Sequence, residues 1–475
     1  MQILKLSFEN INSLKGAWTI DFQAPDFRSG IFAIVGPTGS GKTTMTCAVL
    51  AALKKRGADP CAFKSGPDYI DPMFHRSALQ VDSHNLDLFL SDRPTVQALY
   101  ARCASGHGAA VCEGAMGFYD GQGLTTRASA WELADTLSLP VLLVVQPGGA
   151  SVTLAAEIQG LVHFRKNSHI SGILLNSCSE KLYKMLKDLL ERETGLPVLG
   201  YLPNLPQAAV ESRHLGLKTA DEITDIQEKI ALLADRLVMD WEKLAAVTER
   251  PCPEGGRLSS RGTASVSVRI AVARDGAFCF TYAETLDALR EAGAEPVFFS
   301  PVRDAALPEG VCGLYLPGGY PELYAQALSE NKTMRASIRQ AVNAGLPTAA
   351  ECGGFLYLGQ SLEDAEGKSW PMAGVLPGAG VRAGRLVRFG YAVLTAKRDS
   401  MLFRAGENLP VHEFHHWDST ANGTAFTARK NEKMQWECGF ANENFYAGFP
   451  HLYWAGTPLP GRFVRAAERY SKTKG

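Results

Sequence analysis

The sequence predicts an α/β protein built as a parallel-sheet nucleotide-binding domain followed by a second α/β domain, and three observations carry that prediction. The stretch Gly36 to Thr43 reads G-P-T-G-S-G-K-T and fits the phosphate-loop pattern at every fixed position. From Gly30 to about Pro203 short apolar runs alternate with helical stretches, the pattern of a parallel sheet covered on both faces. Between Thr248 and Ser267 the composition turns to Pro, Gly, Ser and Arg, and a second α/β series starts at Val268.

The loop has the flanks that its chemistry needs. Gly30-Ile31-Phe32-Ala33-Ile34-Val35 reads as a buried strand, and Lys42 to Arg56 as a helix with Gly57 as its stop. Glycines Gly36, Gly39 and Gly41 let backbone N–H groups and the helix N-terminus face anionic phosphates. Lys42 is then expected at the β- and γ-phosphates of ATP, and the Thr43 hydroxyl on Mg²⁺. A Gly-rich turn before an ordinary helix is the alternative, and the strand and helix on either side argue against it.

Composition narrows the class. At 475 residues the chain exceeds one core. A formal net charge of -1, 46% hydrophobic and 20% charged residues are those of an ordinary soluble enzyme, with no basic excess to suggest nucleic acid. No apolar run reaches the roughly 18 residues needed to cross a bilayer, so the expectation is a cytoplasmic protein without a membrane partner. Ten cysteines are scattered without a C-x-x-C pair, which points to reduced thiols rather than zinc or disulfides.

Taken in order, residues 1–29 alternate apolar and polar positions around a turn at Asn10 to Gly16, a β-hairpin signal. Residues 30–247 form the phosphate-loop domain, with strands at Cys61-Ala62-Phe63, Ala109 to Cys112, Val141 to Val145, Ile170 to Leu175 and Val198 to Leu202. Residues 248–267 are the linker, and 268–475 the second domain, with strands at Val268 to Ala273 and Gly313 to Leu316. Phosphoryl transfer needs a carboxylate near the loop at a neighbouring strand end, and Glu113 is placed for it. It opens the Gly-rich run to Gly121, which carries a second acid, Asp120. Lys64-Ser65-Gly66-Pro67-Asp68-Tyr69-Ile70-Asp71-Pro72 sets a lysine and acids at the carboxyl edge of the same sheet, where open α/β folds bind ligands.

Phe63 to Pro72 with His75, Asn85-Leu86-Asp87, Glu113 to Gly121 and Glu211 to Leu217 together resemble the cobyrinate a,c-diamide synthase family, from about Thr43 to the C-terminus. The resemblance implies an ATP-dependent carboxylate activator with a dethiobiotin-synthetase-like fold. It implies Lys64 and Asn176 beside the nucleotide, Asn176 reading adenine. Asp68, Tyr69, Ile70 and Asp120 would then lie around the substrate carboxylate, with Thr43, Asp68 and Glu113 at the metal.

In the second domain, Pro347 to Gly354 places Cys352 at a strand-to-helix turn with glycines after it. A helix N-terminus favours the thiolate, and neighbouring backbone N–H groups can form an oxyanion hole, for which the Gly turn in Leu316 to Glu322 offers a second half. His451 lies about a hundred residues downstream as a general base. Cys352 alone could equally be a buried structural thiol. The pair resembles a class I, triad-type glutamine amidotransferase domain, although the acid usual two residues after the histidine is here Tyr453 and the third group is left open. His412-Glu413-Phe414-His415-His416 offers imidazoles beside a carboxylate, and is expected to be a polar loop rather than a zinc site.

The two resemblances imply amidation of the a and c acetates of cobyrinate or a related tetrapyrrole, through an acyl phosphate and ammonia released from glutamine. The implied partners are small molecules: the tetrapyrrole carboxylate, glutamine and ATP. A homodimer remains open. Residues 1–44 resemble instead the start of SbcC, the ATPase subunit of a DNA-repair nuclease. The alternative function this implies, DNA-end processing, needs long heptad coiled coils that the chain lacks.

Overall fold

The computed structural model describes residues 5–11, 14–21, 30–208, 212–213, 216–217, 223, 225–250 and 268–474. The expected linker falls almost wholly outside them, as do His214 and Leu215. By contact the chain divides into two compact units, Met1–Leu86 with Leu99–Gly256, and Asp87–Ala98 with Arg257–Gly475. Residues 87–98, inside the expected first domain, thus pack with the second unit.

Strands β1 (Lys5–Ile11) and β2 (Leu14–Asp21) pair antiparallel, with Lys5 opposite Asp21, and hydrogen-bond to no other described strand. The sheet of the first unit comprises β3 (Gly30–Val35), β4 (Pro60–Ser65), β5 (Ser83–Leu86), β6 (Ala109–Glu113), β7 (Val141–Val145), β8 (Ile170–Asn176) and β9 (Val198–Leu202). The short pairs β10 (Ser212–Arg213) and β11 (Gly216–Leu217) stand apart, and β12 (Val238–Met239) closes one edge antiparallel to β9. The order is β12-β9-β8-β7-β3-β6-β4-β5, parallel except for β12. Every residue of β3, β4, β6 and β7 is buried under helices on both faces, so β3 and β7 are apolar throughout, while β4 and β6 turn polar only at their carboxyl ends, at Lys64, Ser65 and Glu113. Helix α1 (Lys42–Lys55) buries Met45 through Leu53 against this sheet and stops where Gly57 takes φ +80°. Register then sets the chemistry. Glu113 pairs with Ile34 on one side and Lys64 on the other, so the ends of β3, β4 and β6 open beside each other at the carboxyl edge.

The second unit has a parallel sheet of β13 (Val268–Ala273), β14 (Ala294–Phe299), β15 (Gly313–Leu316), β16 (Thr348–Glu351) and Phe445–Gly448, with Phe440–Asn442 antiparallel at one edge. A five-stranded antiparallel sheet adds Gln435–Cys438, Phe426–Arg429, Arg388–Ala396, Asn408–His415 and His451–Leu452, in that order. The expected polar loop at His412 to His416 is therefore wrong. His412, Glu413, Phe414 and His415 lie in the strand Asn408–His415, whose alternate residues Leu409, Val411, Glu413 and His415 are buried. Glu413 and His415 face inward because partners inside replace water, and this override of polarity by packing is invisible in local sequence.

Candidate active sites

The phosphate loop enters α1 through Gly41 at φ +81°, and a Cβ there would stand 2.1 Å from Asn176 Nδ2, so only glycine fits. Asn176 ends β8 and its Nδ2 donates to Ser40 O at 3.0 Å, fastening the loop from behind. Lys42 Nζ donates to Gly36 O (3.2 Å) and Pro37 O (3.0 Å). Burial, followed by the nearby charge of Lys64, lowers its pKa.

Next to the loop lies a buried charge cluster. Lys64 Nζ donates to Asp71 Oδ2 at 2.5 Å and to Glu113 Oε1 at 2.7 Å, with Asp68 Oδ2 3.8 Å away. Thr43 Oγ1 donates to the same Glu113 Oε1 at 2.6 Å and lies 3.5 Å from Asp71 Oδ2. Burial opposes the charge of Lys64, yet Asp71, Glu113 and Asp68 outweigh it and hold the ammonium well above its ordinary pKa. Burial also raises the pKa of Glu113 and Asp68, whereas Lys64 overcomes burial at Asp71 and lowers it. Three carboxylates thus share one lysine. Glu113 Oε2 is buried and has no hydrogen-bond partner among the described residues, with His75 Nε2 3.8 Å off. Hard oxygens, an excess of negative charge and this unpaired acceptor fit Mg²⁺, which binds through one or two carboxylates and completes its shell with phosphates and water.

Asp68 is differently engaged, since its Oδ1 accepts from the Ile70 and Asp71 amides at 2.8 and 3.2 Å and so starts helix α2 (Ile70–Ser77). Tyr69 and Ile70 are buried at that same start. Asp120 Oδ2 accepts from the Gly117 amide at 3.1 Å, bracing the turn after β6.

In the second unit, β16 ends at Glu351 and Cys352 follows at φ +46°, ψ −102°, a sharp non-glycine turn into the helix Gly353–Leu358. Such strain at a strand-to-helix elbow is held by its surroundings: the Cys352 amide donates to Gly448 O at 2.8 Å and the Gly354 amide to Pro317 O at 3.0 Å. The turn at Gly318 and Gly319 presses on this elbow. A Cβ on Gly318 would lie 2.5 Å from His451 Cε1 and 3.5 Å from Cys352 Cβ, so thiol and imidazole flank one small space that a side chain would fill. Burial, then Glu322 and Glu413, push the Cys352 thiol up. Burial, then His412 and His415, push His451 well down, so the pair rests neutral.

The model of the CobB/CobQ-like glutamine amidotransferase domain matches residues 269–458, and an AAA domain model matches residues 5–67. A cobyrinate a,c-diamide synthase of Caldanaerobacter subterraneus is 38% identical, covering 89% of this chain and 94% of its own. The chain belongs to the cobyrinate a,c-diamide synthase family. Relatives of the same name from Clostridium acetobutylicum (38% identity; 88% of this chain, 95% of theirs) and Salmonella typhimurium (36%; 93% and 99%) agree. It is an amide-forming ligase with a glutamine amidotransferase domain.

Within this synthase, sequence reasoning missed Asp71 as a site residue. Asp68 turns Oδ1 to the first amides of α2 and reaches Lys64 only at 3.8 Å through Oδ2, whereas Asp71, three residues on, hydrogen-bonds it directly. Among the described residues, the His412 to His416 stretch gathers no three His, Cys, Asp or Glu side chains that could hold a metal ion. His415 is instead held by Trp417 O (2.6 Å) and Glu413 Oε2 (3.2 Å) and stacks on Phe449 at 3.8 Å. No helix of the described residues is long and apolar enough to cross a membrane.

Proposed function

We propose that this synthase amidates the a and c acetate carboxylates of cobyrinate, or of a closely related tetrapyrrole in cobalamin biosynthesis, using ATP and glutamine. The observation that supports the reading is that a phosphate loop beside the buried Lys64–Glu113 cluster and a close Cys352–His451 pair occur in one chain matched almost end to end by relatives of that name.

In the first unit, ATP lies along Gly36, Gly39 and Gly41, with Lys42 and Lys64 as cations at the phosphates and Asn176 toward the adenine. Thr43, Glu113 and Asp71 would hold Mg²⁺, with Asp68 beside them; the ion supplies charge stabilisation for the transferring phosphoryl group. Asp68, Tyr69, Ile70 and Asp120 border the substrate carboxylate. That carboxylate oxygen attacks the γ-phosphorus, ADP leaves, and an acyl phosphate forms.

In the second unit, Cys352 Sγ attacks the glutamine carboxamide carbon while His451 takes the thiol proton and returns it to the departing ammonia. Water hydrolyses the thioester to glutamate. Ammonia then attacks the acyl phosphate, the C–N bond forms, and phosphate leaves. Splitting amidation this way makes an unfavourable condensation run downhill. The test is incubation of the purified protein with ATP, Mg²⁺, glutamine and a panel of tetrapyrrole acetates, following mass loss of about one unit per acetate amidated, the difference between OH and NH₂. Turnover of ATP and glutamine with another carboxylate, and none with these, would overturn the substrate and leave only the amidotransferase.

A further inference from the structure

We propose that Glu351, the residue before the nucleophile, is the acid that orients His451 and stabilises its protonated form. This rests on reading Cys352 and His451 as the glutamine-hydrolysing pair, and it fills the position that Tyr453 leaves vacant.

Glu351 Oε2 lies 3.9 Å from His451 Nδ1, and both side chains are almost fully buried, at 1% and 3% exposure. Topology explains the approach. Glu351 pairs with Gly448, three residues before His451, so the end of β16 and the start of the last short strand converge. The carboxyl is supported by donors only: Trp454 Nε1 reaches Oε1 at 3.0 Å, and the Leu452 amide and Tyr315 hydroxyl also act to lower its pKa. Donors of this kind stabilise a carboxylate. Burial nevertheless raises its pKa, to about 8, which leaves ionisation within reach once a positive charge forms beside it. Among the described residues Oε2 has no hydrogen-bond partner, and a buried acceptor left so is costly unless it has a task.

Other described groups near the pair are arranged differently. His412 and His415 reach it from the neighbouring strand as imidazoles, and Glu413 is already bound by His415 and by Trp436 Nε1 at 3.2 Å. Glu322 bears on Cys352 electrostatically, and Tyr453 is buried edge-on to Tyr282 at 5.1 Å and carries no acid. With Nδ1–H directed at Oε2, Nε2 is the nitrogen that exchanges the proton with Sγ. With Glu351 ionised, its own proton released to solvent, attraction between imidazolium and carboxylate closes the 3.9 Å gap by about 1 Å to hydrogen-bond length as the thiol proton arrives.

The experiment measures Glu351→Gln, Glu351→Asp and Cys352→Ser in the full chain. Readouts are glutamine hydrolysis, ammonia-supported amidation, and the pH dependence of Cys352 alkylation by iodoacetamide read from its own peptide by mass. In Glu351→Gln, hydrolysis should fall about 10²-fold in kcat with KM for glutamine little changed. Its alkylation midpoint should rise by about one pH unit or more, because the thiolate–imidazolium pair loses its carboxylate. Ammonia-supported amidation should persist, and Glu351→Asp should recover part of the hydrolysis. An unshifted midpoint with wild-type hydrolysis would overturn the proposal. Should Glu351→Gln not fold, Trp454→Phe decides, since losing the Oε1 donor must raise the midpoint in the same direction and an unchanged value counts against Glu351. Full glutamine-dependent activity in Cys352→Ser would instead remove the underlying reading, a result distinct from either.

Discussion

Lys64 Nζ sits 2.7 Å from Glu113 Oε1 with both side chains buried, and the same oxygen accepts from Thr43 of the phosphate loop. One lysine therefore ties the end of β4 to the end of β6 and to the nucleotide loop, and sets how much negative charge the cluster can hold.

Replacing it by methionine should show this. Lys64→Met leaves Asp68, Asp71 and Glu113 without their buried cation, and breaking such a pair costs about 3–5 kcal/mol. The variant should melt well below wild type, and amidation should drop by about 10²-fold or more through loss of the charge that the proposed mechanism sets at the phosphates. Glutamine hydrolysis by the folded variant should survive, at least in part, because its chemistry uses no phosphate. A melting temperature equal to wild type would show that the cluster relaxes at no cost.

Gly318→Ala places a methyl 2.5 Å from His451 Cε1. The imidazole must move, and a displacement near 1 Å in a catalytic group costs about 10²-fold in rate. Glutamine-dependent amidation should fall by that order while added ammonia restores it. Equal activity with glutamine would place the catalytic imidazole elsewhere.

Burial pushes the His412 imidazole down to about 4, from an ordinary 6.5. Between those values the unfolded chain takes up a proton that the native site refuses, so this contribution to stability is intact above pH 6.5 and is lost as pH falls toward 4. The full loss is about 3 kcal/mol at 1.36 kcal/mol per unit. His412→Gln should therefore lose less stability than wild type between pH 7 and pH 5 in denaturant titrations. Identical slopes would mean that His412 protonates without unfolding.

β1 and β2 pair only with each other among the described strands, and every residue given a chemical role lies at or beyond Gly36. A chain starting at Ser29 keeps β3 and the loop, and should retain ATP-dependent amidation. One starting at Thr38 removes the central strand of the sheet and should not bind nucleotide. Loss of ATP binding by a folded Ser29 chain would make the hairpin part of the nucleotide site.

Local sequence determined the elements whose signal is local. The phosphate loop, strand β3 and helix α1 were legible because glycine spacing, an apolar run and a helical composition each reflect short-range sterics, and Gly57 ends the helix where it was expected. Cys352 was legible as an elbow for the same reason, with glycines on the side where its strained turn needs them. Tertiary structure alone decided what depends on register between distant strands. The pairing of Lys64 with Glu113 follows from β4 lying beside β6, and Asp71 approaches Lys64 more closely than Asp68 does because Asp68 turns one oxygen to the first amides of α2. His412 reads locally as part of a polar loop, yet it pairs with His451 across two strands. Glu351 next to a cysteine looks like any strand-end acid until β16 and the last short strand bring it to the far side of the imidazole. A side chain's chemistry is written in the sequence, but its partner is chosen by packing, which joins residues that no spacing rule connects.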